Sequence, residues 1–215
     1  MSLTDKVERL LPEEIEKRSF EIIEDELKQS NIILPDDKKN VIKRVIHTSA
    51  DLDYAKSLVF SDGAVEEFNR LIKEGATIVT DTNMALSGIN KKALAKFNMK
   101  AYCFMADDDV ARESKERGVT RACVSMEKGA KLDGPVIFVV GNGPTALIRL
   151  YEMIEEGSYR PAFIIGVPVG FVNVEVSKEM IMETDVPYIV NVGRKGGSNI
   201  AAAICNAFLY DAGGR

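Results

Sequence analysis

The spacing of apolar residues changes character about a third of the way along the chain. Up to residue 75 the repeat is helical, and from residue 76 onward short β-branched runs alternate with helical stretches. Pro12 followed by Glu13 and Glu14 marks a helix start, with Ile15, Ile22, Ile23 and Leu27 as its expected apolar side. A second helix is expected from near Asp36, where Val41, Ile42, Val45 and Ile46 form a stripe. Arg44 and His47 then fall three residues apart on the opposite, polar side, where they can reach one ligand. A third helix follows Ser61 and Asp62, turning Val65, Phe68, Leu71 and Ile72 inward and stopping at Gly75.

Beyond residue 75 the pattern predicts five strands: Thr77 to Asp81, Ala101 to Met105, Pro135 to Val140, Ala162 to Gly166 and Tyr188 to Val192. Helices are expected near Lys91 to Phe97, Asp108 to Arg117, Thr145 to Glu156, Ser177 to Glu183 and Ser198 to Tyr210, with a short one headed by Arg121. Strands that alternate with helical crossovers predict a parallel sheet covered on both faces. The expected architecture is therefore a three-layer, doubly wound, flavodoxin-like α/β sheet preceded by N-terminal helices, as one domain over residues 1–215. In such sheets ligands sit beyond the carboxyl ends of the strands. That edge receives Asp81-Thr82-Asn83, the Gly141 to Thr145 turn, the Gly166 to Gly170 turn and the Gly193 to Ser198 turn. Thr82, Asn142, Gly143, Gly196, Gly197 and Ser198 become candidate ligand contacts by position.

Composition narrows the function classes. The chain has 215 residues, 46% of them apolar, enough to bury a substantial core. A formal charge of −5 argues against a surface built to neutralise nucleic-acid phosphates. Cys103, Cys123 and Cys205 are too scattered for a zinc-type pair and too few for a disulfide framework, so they are expected as reduced thiols. No apolar run approaches a membrane span or a signal segment, and the expected compartment is the cytoplasm.

Candidate chemistry is sparse. His47 is the one side chain whose unperturbed pKa, about 6.5, suits proton transfer near neutrality, although a surface helix position would also accommodate it. GNGPTA at 141–146 matches a dinucleotide-binding turn between strand and helix, but the next strand supplies no carboxylate to hold a ribose. GRKGGS at 193–198 brings two cations, three glycines and a capping serine together, compatible with an anion site or an ordinary turn. Ser19 either bonds back to its own helix or meets a ligand. Arg121 suits a surface ion pair or an anion cradle.

Taken together, KRSF (17–20), RVIHTSADLDY (44–54), GNGPTAL (141–147), GVPVGFV (166–172) and GRKGGSN (193–199) resemble the precorrin-8X methylmutase family of cobalamin biosynthesis. The resemblance implies an isomerase that moves a methyl group from C-11 to C-12 of a contracted tetrapyrrole, giving hydrogenobyrinic or cobyrinic acid. It implies no cofactor and no protein-bound metal, any cobalt belonging to the substrate. The residue at His47 would protonate the macrocycle beside ring C, and those at Ser19 and Arg44 would contact it. Arg121, Arg194 and Lys195 suit the substrate's carboxylates, and the Val167 to Val172 segment suits its apolar face. A homodimer with active sites near the subunit interface is also implied. Two departures stand out: Gly143 replaces the alanine of GNAPTAL, and Glu175-Val176-Ser177-Lys178 replaces a glutamate-serine-lysine triplet, which leaves Glu175 and Lys178 unassigned. The competing readings are a nucleotide-dependent enzyme using the GNGPTA turn and a non-catalytic corrinoid carrier.

Overall fold

The computed structural model describes residues 2–214. After a short 3₁₀ turn at Leu3–Lys6 come α1 (Pro12–Gln29), α2 (Lys39–Ser49), α3 (Tyr54–Ser57), β1 (Leu58–Phe60) and α4 (Ala64–Lys73). The remainder runs β2 (Thr77–Thr80), α5 (Asn83–Gly88), α6 (Lys91–Lys96), β3 (Lys100–Tyr102), α7 (Asp108–Arg117), α8 (Arg121–Gly129), β4 (Val136–Val140), α9 (Pro144–Glu155), β5 (Phe163–Gly166), α10 (Val174–Met182), β6 (Tyr188–Asn191) and α11 (Ser198–Ala212).

The sheet order is β1-β6-β5-β4-β2-β3, with every pairing parallel except β1 against β6. The five parallel strands alone follow the flavodoxin order, with the topological switch between β2 and β4. One strand was not anticipated. Leu58, Val59 and Phe60 pair with Asn191, Val190 and Ile189, so the helical first third also contributes an antiparallel edge strand. Three apolar residues are too few to show a strand period, which is why the pattern misses it.

Side chains alternate across the strands into two separate cores. Ile137 and Val139 of β4 enter one with Phe163, Ile165 and Ile189; Val136, Phe138 and Val140 enter the other with Ile164 and Val190. The first core holds α11, which packs against α2, α4, α5 and α6, while α1 lies on α2. Phe68 anchors it, with ring centroids 4.3 Å from Phe208 and 5.1 Å from Phe163. The second core lies under α8, α9 and α10.

The apolar stripes of α2 and α4 are buried as the pattern requires, save that Val65 of α4 is only partly so, but α1 is only half covered. Ile23 and Leu27 are buried, whereas Ile15 and Ile22 are 53% and 40% exposed. Asn40 of α2 bonds Asp211 at the far end of α11, so the two helices run antiparallel. That direction carries the last turn of α2 to the sheet edge where α11 begins. There Ala50 takes a left-handed conformation and turns the chain into Asp51–Asp53.

Candidate active site

His47 occupies the last turn of α2 with its ring half-buried against Phe20 of α1, centroids 5.3 Å apart and planes at 25°. Arg44, one turn earlier, lies over the same Phe20 ring at 4.8 Å and near Tyr210 at 5.2 Å, and pairs with Glu16. The polar side expected for these two residues is thus partly covered by α1. Lys43 adds a third group, 5.4 Å from Phe20 and 2.5 Å from Glu24. Arg44 borders an open cleft of about 380 Å³ between α1, α2 and the end of α11, whose lining includes Phe20 and Tyr210 but not His47. Arg44 and His47 therefore meet through the shared Phe20 ring. Ser19 spends its hydroxyl on the Ile15 carbonyl at 2.9 Å, the local bond open to a helical serine.

The loops at the carboxyl edge interlock. Thr82 caps α5 through the Ala85 amide at 3.0 Å and meets the Ser198 hydroxyl at 2.7 Å, joining the β2 and β6 ends. Thr120 meets Thr145 at 2.9 Å across the starts of α8 and α9. A Cβ on Gly141 would stand 2.7 Å from Ser198 Cα, so that position has room for glycine alone. Gly197 donates its amide to Val167 at 2.9 Å and Gly170 donates to Arg194 at 3.2 Å, tying the turns after β5 and β6 together. Lys195 reaches Asp51 and Asp53, both at 2.6 Å, and so latches the β6–α11 turn to the segment leaving α2.

The GNGPTA turn carries an occupant from its own chain. Asp81, buried at the end of β2, accepts amides from Gly141 at 2.8 Å, Asn142 at 2.8 Å and Gly143 at 2.6 Å. Burial pushes its carboxyl above the ordinary aspartate range, against the opposing pull of those three donors. The backbone groups that a pyrophosphate would need are taken, which removes the physical basis for the nucleotide reading. What Asn142 still offers a ligand is its exposed side chain.

Arg194 is exposed, pairs with Glu175 at 2.7 Å and lies 5.4 Å over the Phe171 ring. Arg121 is exposed at the head of α8 and forms no salt bridge among the described residues. Of the segment expected as an apolar face, Val167 is wholly buried, but Val169, Phe171 and Val172 are 47%, 81% and 77% exposed. Val176 and Val192 are exposed as well. The cysteines are free, and complete burial raises the Cys205 thiol to about 12. Among the described residues no group of three His, Cys, Asp or Glu side chains is arranged to hold a metal. No helix there is long and apolar enough to cross a membrane.

The roles of two residues of this edge escape sequence reasoning. Asp81 could have been found as a carboxylate closing a strand beside a glycine turn. Lys178 interrupts the buried stripe of α10 formed by Val174, Ser177 and Ile181, and a lysine at such a position signals a buried polar partner.

A family model described as precorrin-8X methylmutase matches residues 14–211. The cobalt-precorrin-8 methylmutase of Salmonella typhimurium is 41% identical over 206 residues, spanning 93% of this chain and 95% of that protein. The precorrin-8X methylmutase of Pseudomonas aeruginosa is 38% identical over 200 residues, spanning 92% and 94%. The crystal structure of precorrin-8X methyl mutase from Thermus thermophilus superposes with a TM-score of 0.82 at 36% identity, covering 94% of this chain and 98% of that one. With that coverage, and with the same doubly wound architecture, this chain belongs to the precorrin-8X methylmutase family.

Proposed function

We propose that the chain moves a methyl group from C-11 to C-12 of precorrin-8X or cobalt-precorrin-8, yielding hydrogenobyrinic or cobyrinic acid, with His47 as the proton donor. The carrying observation is placement: the only histidine of the chain sits at the end of a helix that Lys195, through Asp51 and Asp53, fastens to the cationic glycine turn. Stacking on Phe20 limits the imidazole to a narrow set of orientations while leaving it partly accessible. A proton lent to the conjugated macrocycle makes the ring system electron-poor enough to accept the migrating methyl with its bonding pair. The proton then returns, so substrate and product differ only in connectivity and no redox partner is consumed.

The substrate is a broad apolar ring fringed by carboxylates. Arg121 and Arg194 supply exposed cations, and Val169, Phe171 and Val172 an apolar surface with Arg194 over the Phe171 ring. Thr82, Asn142, Gly143, Gly196, Gly197 and Ser198 surround the same edge as substrate contacts, with Ser19 and Arg44 approaching from α1 and α2. Because the cleft beside Arg44 is open, a second subunit completing the pocket fits the arrangement, and the working unit is a homodimer in the cytoplasm. Light scattering that gave a monomer under assay conditions would oppose that part.

The test is His47→Asn, assayed by the absorption change that accompanies methyl transfer in precorrin-8X or its cobalt form. General-acid assistance is worth roughly 10²–10⁴-fold, so kcat should fall by that much with binding retained. Wild-type rates in the variant would remove the proposed proton donor, and a wild type that binds the corrinoid without converting it would favour the carrier reading.

A further inference from the structure

Lys178 is 1% exposed on the inner stripe of α10 and forms no salt bridge among the described residues. An ammonium in such a place costs several kcal/mol unless hydrogen bonds compensate it. Its Nζ donates to the carbonyls of Gly193 at 2.7 Å and Lys195 at 2.9 Å. Asn191, fully buried, sends its amide to the same Lys195 carbonyl at 2.7 Å, and its side-chain oxygen accepts the Ser57 hydroxyl at 2.7 Å. The intervening Arg194 carbonyl accepts the Gly170 amide at 3.2 Å.

Three successive carbonyls of the turn are thereby held by the protein interior and its neighbouring loop. No peptide bond among the described residues is cis, and in a planar trans peptide each N–H points opposite to the preceding C=O. The amides of Arg194, Lys195 and Gly196 are therefore turned away from those anchors, and none of the three finds an acceptor among the described residues. Gly196, at φ 151, permits the bend: a Cβ there would sit 2.1 Å from the Val167 carbonyl oxygen.

We propose that Lys178 is a positioning residue which holds the 193–196 turn so that three consecutive backbone N–H groups face a carboxylate of the corrinoid substrate. The inference rests on the functional reading above. Lys178 never touches the substrate; it fixes the carbonyl side of the turn and places a positive charge behind the amide side. Glu175 on its own helix, Arg194 and Lys195 on the turn, and Asp51 and Asp53 paired with Lys195 are the charged groups around it.

The experiment compares wild type with Lys178→Met, which keeps length without donors, and Lys178→Gln, which keeps donors without charge. Hydrogen bonds to a charged group contribute enough that Lys178→Met should raise KM for precorrin-8X, and Kd for its product, roughly 10–100-fold, with kcat far less affected. Lys178→Gln should recover part of the loss. In wild type, adding product should move the amide proton resonances of Arg194, Lys195 and Gly196 downfield. A folded Lys178→Met with wild-type KM and Kd, or unmoved amide resonances in wild type, overturns the assignment. Should Lys178→Met not fold, the wild-type resonances decide. A wild type that neither binds nor converts precorrin-8X overturns the functional reading and this role with it, whereas normal conversion with those amides unmoved overturns the role of Lys178 alone.

Discussion

The turns at 141–146 and 193–198 begin from nearly the same sequence logic and end with opposite electrostatics. Each joins a parallel strand to a helix at the carboxyl edge of the sheet, each is rich in glycine, and each reads as a place for an anion. Beneath the first lies a buried carboxylate, Asp81, which takes three amides. Beneath the second lies a buried ammonium, Lys178, which takes two carbonyls. Glycines give a turn the freedom to approach a neighbour closely, but the sign of the buried group decides which pole of the backbone is left for a ligand. One turn is closed by its own chain and becomes a structural joint; the other keeps the amides of Arg194, Lys195 and Gly196 free among the described residues.

Removing Asp81 should have the largest effect on stability. Asp81→Ala strands three amide donors that the buried carboxyl group had satisfied, and orphaned donors of this kind cost about 1–3 kcal/mol each without full additivity. Denaturant unfolding should report a loss of roughly 3–5 kcal/mol. The variant also recreates an empty donor turn at the start of α9, so inorganic phosphate should raise its melting temperature more than that of wild type. A loss below about 1 kcal/mol would mean that Asp81 is not what closes the turn.

Lys178 should show its effect through pH. Burial lowers its pKa to about 8, while the unfolded chain holds that proton to the ordinary lysine range near 10.5. Between those values the unfolded state binds more protons, so this group makes stability rise with pH there; below about 8 the protein bears the full cost of the buried charge. Measured against Lys178→Met, wild type should gain on the order of 2–3 kcal/mol from pH 8 to 10.5. Substrate affinity should move the other way, because deprotonation removes positive charge from behind the amides. Parallel pH profiles for the two proteins would contradict the buried-ammonium picture.

The difference between the turns also marks how far the sequence could be read. Four of the five parallel strands follow from β-branched runs such as Val136–Val140, since burial on both faces leaves a continuous apolar signature; β3 is an exposed-ended Lys-Ala-Tyr strand at 100–102 rather than the expected Ala101 to Met105. The β1 edge strand does not follow, because three residues carry no period and its partner lies more than a hundred positions away. The site divides similarly. His47 was visible as the only histidine, and Arg194 and Lys195 as cations among glycines. Their partners were hidden: Phe20 against His47, and Asp51 and Asp53 against Lys195, are tertiary meetings that local spacing does not encode. The roles of Asp81 and Lys178 depend on which strand ends adjoin, and so on sheet order.

Glu175 offers the mildest way to sharpen the contrast between the turns. Its pair with Arg194 is solvent-exposed, with side chains 47% and 60% accessible, so Glu175→Gln should change stability by less than about 1 kcal/mol. Binding should respond more than folding. Without its partner Arg194 is free to meet a substrate carboxylate, and KM should fall by roughly two- to fivefold at low ionic strength, the gain shrinking as salt screens the exposed charge. Glu175 also supports the charged form of Lys178, so its loss should make that ammonium easier to deprotonate and bring the alkaline fall in affinity to lower pH. Measuring KM against salt at neutral pH, and then against pH at fixed salt, separates the two contributions. Arg194 acts from the surface and is screened, whereas Lys178 acts from the interior and should keep its influence when salt has removed the first.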